Sequence, residues 1–221
     1  MTSTRTNPTT LAALWLTAAL VFFVSEAIAA AAVAPPYRYS YASDYISQLG
    51  VPGWTRLAAV MNVGLCVQGI LFFIGAVLAA RASATGRRRL FLVLAALYSL
   101  GVILVAAVPF GLGAPASNLG GFHWLGALLA IFGGNAAIVA GSSVVAGLVG
   151  VRWYRKASVV LAVLGFVSFL ILSQPAARPS LGIWERGSVY SIMLWQIFSA
   201  VLLLARRSPR STKAPTRFSV S

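Results

Sequence analysis

The sequence predicts an all-α fold: a polytopic membrane protein with six transmembrane helices in three hairpins and its N and C termini cytoplasmic. Three observations carry that prediction. The chain of 221 residues is 59% apolar and 9% charged, with a mean hydropathy of +0.88, which is more hydrocarbon than one water-soluble core of this size can hide. Apolar stretches recur along it, each near the roughly 20 residues that cross a hydrocarbon slab of about 30 Å. The basic residues alternate with those stretches so that six crossings place most of them on one side.

The first stretch, 11–34, follows Arg5 and ends in an Ala-rich run. It is longer than the roughly 7 to 15 apolar residues of a secretory signal, and an aromatic loop follows it, so it reads as a helix. The second, 54–80, holds Asn62, Gln68 and the single cysteine, Cys66. One cysteine excludes an intrachain disulfide and a thiolate metal cluster, which leaves Cys66 as a small packing residue. The third runs over 90–110. The fourth, 123–150, carries Gly133, Gly134, Ala137 and Gly141, a set of small residues that allows close backbone approach and predicts a central helix. The fifth spans 157–173 and the sixth 185–205. The domain is therefore 11–205, between a disordered cytoplasmic tail at 1–10 and a basic disordered one at 206–221, both rich in polar residues without apolar periodicity.

The net charge of +14 suggests nucleic acid until the charges are located. Arg5, Arg81, Arg87, Arg88, Arg89, Arg152, Arg155, Lys156, Arg206, Arg207, Arg210, Lys213 and Arg217 all fall on the side of the termini. Arg38, Arg56, Arg178 and Arg186 fall on the other side, with all three acids. That is the positive-inside pattern of a multi-pass protein of the cell's inner (plasma) membrane, with membrane lipids as partners and no nucleic acid. A membrane-protein partner or a second copy of the chain stays open.

The far-side loop, 35–53, is the most varied in chemistry. Tyr37, Tyr41 and Tyr45 recur at i, i+4 and i+8, a spacing that predicts three phenols on one face of a short helix at headgroup level, with Gly50 and Pro52 as its stop. Such a helix anchors the hairpin; in a sharper reading it turns Asp44 toward a pocket.

Ionisable groups in a span are costly, so each carries a functional hypothesis. Glu26 stands about 22 Å into the first helix at 1.5 Å per residue, in the far third of the bilayer. It must face the bundle interior and pair with an Arg or His, or be protonated. Glu185 opens the sixth helix, where the helix dipole favours a carboxylate. Arg186 points about 100° away from it and needs another partner, Glu26 or Asp44. His123, the sole histidine, opens the fourth helix beside Trp124, either as part of an aromatic belt or as an acid/base group. Topology assigns Glu26, Asp44, His123, Glu185 and Arg186 to one side, where they form a candidate ligand-binding cluster. No metal or cofactor is expected, since one histidine and three acids with no H-E-x-x-H, paired-cysteine, P-loop or G-x-S-x-G spacing make a thin set. The amides set deeper in the spans, Asn62, Gln68, Asn135 and Gln196, are expected to bond helix to helix.

Asp44-Tyr45-Ile46-Ser47-Gln48-Leu49-Gly50 after the first helix, Asn62 early in the second, His123 opening the fourth and Gly182-Ile183-Trp184-Glu185-Arg186 opening the sixth together resemble the DUF998 family of six-helix membrane proteins. Gln48 stands before Leu49 where that family's loop usually carries an acid. The resemblance implies a six-helix fold and groups the far-side positions together, and it supplies no reaction. The family is similar in outline to the Frag1/DRAM/Sfk1 group, an analogy that implies lipid-related or trafficking-related work.

The leading expectation is a membrane protein of unassigned activity that binds or helps move a lipid or other amphiphile through a polar pocket in the outer leaflet. The alternatives are an intramembrane enzyme acting on a lipid headgroup, with His123 or Glu26 as base, and a structural partner subunit of a membrane complex. A channel or a proton-coupled transporter is disfavoured, because no ladder of charge crosses the bilayer centre.

Overall fold

The computed structural model describes residues 7–110 and 119–206. Its long helices are α1 (Pro8–Ala31), α2 (Ala58–Ala82), α3 (Arg88–Ala107), α4 (Gly120–Val149), α5 (Tyr154–Leu172) and α6 (Leu181–Ala205). All six are long and apolar enough to cross a membrane, and no β-strand occurs among the described residues. Helices are the natural outcome, because lipid offers no partner to a free amide and an α-helix satisfies its own. Two short 3-10 helices, Ser47–Gly50 and Pro175–Ser180, lie ahead of α2 and α6.

Neighbours in sequence pack as neighbours in space, and α1 closes the ring by packing on α6. Helix α4 touches α2, α3, α5 and α6, the central position that its small residues predict. Helix α5 is the most peripheral, with little of its length buried. Both ends of the described chain lie at one end of the bundle, here called proximal. Arg81, Arg87, Arg88, Arg89, Arg152, Arg155, Lys156 and Arg206 stand at proximal helix ends and connections, while Arg38, Arg56, Arg178 and Arg186 stand toward the distal end. The predicted tail residues at 1–6 and 207–221, with Arg5, Arg207, Arg210, Lys213 and Arg217, lie outside the described residues.

Several boundaries differ from the hydropathy reading for local reasons. Helix α1 begins at Pro8, inside the predicted tail, because the Asn7 side chain accepts from the Thr9 amide at 3.0 Å and proline suits a first helical position. Helix α2 begins at Ala58 and not at residue 54. Residues 51–55 turn back on themselves, with Trp54 and Thr55 amides donating to the Val51 carbonyl, and the Thr55 hydroxyl donates to the Ala29 carbonyl at 2.8 Å. Helices α4 and α6 each begin a few residues earlier than hydropathy suggests.

The distal loop corrects a larger expectation. Tyr37, Tyr41 and Tyr45 lie on no common helix face, because 32–46 forms turns and the only regular element there is the later 3-10 helix. The loop folds over the bundle end instead, burying Ile46, Leu49, Val51 and Trp54.

The core is aromatic. Trp15, Phe72, Tyr98 and Trp195 meet where α1, α2, α3 and α6 converge, with Trp15 and Trp195 rings 5.1 Å apart and Phe72 and Tyr98 rings 4.7 Å apart. Their polar atoms are matched: the Trp195 indole donates to Ser158 at 3.0 Å and the Tyr98 hydroxyl to Gln68 at 2.7 Å. Asn135 ties α4 to α6, donating to the Ser188 carbonyl at 3.0 Å and accepting from Ser191 at 2.8 Å. Gln196 bonds within its own helix, to the Ile192 carbonyl at 3.3 Å, so it is no cross-helix link.

The tightest seam is α3 against α4. A Cβ on Gly101 would lie 2.4 Å from the Ala130 backbone nitrogen and 2.6 Å from the Gly126 carbonyl oxygen, neither of which can rotate away. Nothing lies within 4 Å of a Cβ on Gly147, near the end of α4. Gly101→Ala is expected to lower unfolding stability in detergent by about 1–3 kcal/mol through overpacking. Gly147→Ala is expected to be neutral or to stabilise by up to about 1 kcal/mol through helix propensity. Thermal unfolding of the two variants side by side checks the pair.

Candidate functional site: a sealed ion pair beside a polar cavity

Glu26, on the last turns of α1, and Arg186, on the second turn of α6, meet at the distal end of the bundle. Arg186 Nε and Nη2 both donate to Glu26 Oε1, at 3.1 and 2.8 Å. Both side chains are almost fully buried. The other Glu26 oxygen accepts from the Tyr190 hydroxyl at 2.7 Å. Tyr190 stands one helical turn beyond Arg186, on the same face of α6.

The rest of the guanidinium is committed to the distal loop. Nη1 donates to the carbonyls of Tyr41, Asp44 and Gly182 at 2.8, 3.0 and 3.1 Å, and Nη2 donates to the Tyr39 hydroxyl. Tyr39 in turn donates to the Tyr45 carbonyl at 3.5 Å. Burial pushes the Tyr39 phenol above its ordinary range, so it serves as a neutral link. The ring faces of Tyr41 and Tyr39 cover the guanidinium, with its carbon 4.7 and 5.5 Å from their centroids. An arginine has five N–H groups, and all five are matched here. Gly182 makes the approach feasible, since a Cβ there would lie 2.6 Å from each of the Tyr41 and Asp44 carbonyl oxygens.

Asp44 enters this network through its backbone. Its carboxylate points away, accepting from the Ser40 amide at 2.7 Å in an exposed turn. The reading that turns Asp44 toward a pocket is therefore corrected.

Glu185 goes elsewhere, as the 100° offset between adjacent helical residues requires. Its Oε2 accepts from the Ile46 amide at the entry to the 3-10 helix. Its carboxylate reaches two adjoining cavities. The larger, about 410 Å³, lies between the 3-10 helix, the distal ends of α4 and α5 and the start of α6, and its polar lining is Tyr45, Ser47, Gln48, His123, Ser173 and Glu185. Phe110 and Trp124, both largely exposed, form part of its rim. The smaller, about 70 Å³, continues from Ser47, Ala127, Ile131 and Glu185 into apolar side chains of α1, α2, α3 and α6, among them Phe22, Leu65, Val102 and Ile192.

His123 is buried at the larger cavity, and its Nδ1 lies 2.7 Å from the Val108 carbonyl. A carbonyl only accepts, so Nδ1 carries the proton and the neutral ring keeps Nε2 as an acceptor. No hydrogen bond engages Nε2 among the described residues.

The five residues grouped by topology thus divide. Glu26 and Arg186 form a closed pair that touches no cavity described here, Asp44 contributes a carbonyl, and His123 and Glu185 line the cavity. Sequence reasoning missed Tyr39 and Tyr190, and it named Ser47 and Gln48 only as part of the loop motif and not as site residues. Tyr190 was within reach through its four-residue spacing from Arg186, whereas no spacing marks Tyr39. Among the described residues no group of three or more His, Cys, Asp or Glu side chains gathers to hold a metal ion.

A six-helix membrane-spanning bundle whose distal end holds a buried ion pair beside a cavity lined in part by a carboxylate and an imidazole is the class that fold and site define. The chain belongs to the DUF998 family, described as a protein of unknown function, whose model matches residues 16–202. No curated protein and no solved structure matches it.

Removing one member of a buried ion pair leaves the other charge without compensation. Glu26→Ala and Arg186→Ala are each expected to lower stability by about 3–5 kcal/mol. The double variant should lose clearly less than the sum, because neither charge is then stranded. Unfolding midpoints of the three variants and the parent form the cycle that checks this.

Proposed function

We propose that the protein binds, or helps move, a lipid or other amphiphile at its distal end, with that end facing away from the cytoplasm. One observation carries the reading: a cavity of about 410 Å³ with Glu185 and His123 in its wall adjoins an apolar crevice and shares Ser47, Ala127, Ile131 and Glu185 with it. That pairing of a few polar groups with hydrocarbon walls matches a molecule with a polar head and an apolar tail. The lining differs from the cluster expected from sequence, since the Glu26–Arg186 pair supports the wall without reaching the ligand. The proximal gathering of Arg and Lys supports the orientation.

A second reading is favoured by His123. Its Nδ1–H is fixed by a backbone carbonyl and its Nε2 is left as a base, the arrangement that orients a catalytic imidazole. With Glu185 in the same cavity, this supports an enzyme acting on the headgroup. His123→Gln separates the two readings: loss of turnover with lipid still retained favours the enzyme.

Ala127 lines both cavities, so a large side chain there obstructs them without touching the ion pair. Ala127→Trp is expected to cut the lipid that co-purifies with the protein severalfold while leaving the thermal midpoint within a few degrees of the parent. Lipid extraction followed by mass spectrometry reads this, and unchanged lipid content at full occupancy of the cavity by tryptophan counts against the proposal. Reporter fusions should place the C terminus in the cytoplasm; a C terminus found outside reverses the orientation.

A further inference from the structure

The lining of the larger cavity specifies the charge of what it takes. None of its residues is arginine or lysine. Arg186, adjacent in sequence to Glu185, has every N–H committed to Glu26, Tyr39 and three carbonyls. None of its hydrogen bonds, and not its ion pair, goes to Glu185. An anionic headgroup would therefore meet a carboxylate with no cation to hold it, whereas phosphate sites are built from arginine, lysine or clustered amides.

The ionisable groups that are present, Glu185 and His123, offer acceptors, beside the neutral hydroxyls of Tyr45, Ser47 and Ser173, the Gln48 amide and aromatic ring faces. A carboxylate has about four lone-pair positions, and the backbone amides at the head of the 3-10 helix occupy only part of them. His123 Nε2 adds a further acceptor. Phe110 and Trp124, with centroids 6.5 Å apart, supply the electron-rich faces that attract a cation.

We infer that the headgroup held in this cavity carries an ammonium group, seated by Glu185 and His123 under the aromatic rim of Phe110 and Trp124. The inference rests on the amphiphile reading above and narrows it. Ammonium chemistry has two natural sources, an aminophospholipid and a single-chain amine.

The test uses the full chain purified in mild detergent and native mass spectrometry of retained lipid. Phosphatidylethanolamine and phosphatidylglycerol of identical acyl chains are offered in equal amounts, and in a second arm dodecylamine competes against dodecanol. The ethanolamine lipid should be retained on the order of tenfold better than the glycerol lipid, the preference that one hydrogen bond to a charged group supplies. Glu185→Gln, which keeps an oxygen for the Ile46 amide, should erase that preference. Trp124→Leu, at an exposed position, should weaken it by about threefold and serves if Glu185→Gln fails to fold. Dodecylamine displacing the bound lipid where dodecanol does not would assign a single-chain amine as a competent occupant; failure of both, with the lipid preference intact, assigns the aminophospholipid. Equal retention of the two phospholipids, or preference for the glycerol lipid, overturns the ammonium inference and leaves the amphiphile reading standing. If neither is retained above the level seen with Ala127→Trp, both readings fall together.

Discussion

The distal half of this protein is organised around one buried charge pair. Taking a guanidinium and a carboxylate out of water costs several kcal/mol for each ion even after relaxation, and their mutual attraction offsets this only when the remaining donors and acceptors are also matched. Arg186 meets that condition by reaching three separate parts of the chain: Glu26 on α1, Gly182 on its own helix, and the loop residues Tyr39, Tyr41 and Asp44. The loop is held in place because it completes the solvation of a cation inside the bundle. Such a pair contributes less to net stability than its contacts suggest, and its effect lies in fixing one arrangement of α1, α6 and the loop between them.

That arrangement determines the chemistry beside it. With Arg186 consumed, the adjoining cavity is left with a carboxylate, an imidazole, neutral hydroxyl and amide groups and aromatic rings. Residues 185 and 186 are neighbours in sequence and opposite in role, one opening onto space and the other sealed, because a helix turns about 100° per residue. The start of α6 thus serves two neighbouring environments with adjacent side chains.

Much of the fold was legible beforehand because lipid imposes a simple rule: long apolar runs become helices that satisfy their own amides. The central place of α4 was legible from Gly133, Gly134, Ala137 and Gly141, and the scarcity of acids narrowed the partner of Arg186 to Glu26 or Asp44, of which the structure takes Glu26. The loop was not legible. The tyrosine spacing fits a helix, but the segment takes turns instead, and those turns bring the Tyr41 and Asp44 carbonyls to Arg186. The role of Asp44 was misread for a related reason, since sequence displays side chains and hides the backbone oxygens that do the binding. Whether polar residues on one side share a cavity or a sealed pair depends on rotations about helix axes, which hydropathy does not encode.

Three of the acceptors around Arg186 are main-chain oxygens, which every amino acid carries. Replacements along 42–44 can therefore change the letters of the loop without unseating the guanidinium, provided the chain keeps its path and residue 182 stays small. Relatives of this protein would then be recognised at this corner by a retained shape and a retained arginine, with drifting side chains between them, and a search for invariant letters in the loop would look past the feature that matters.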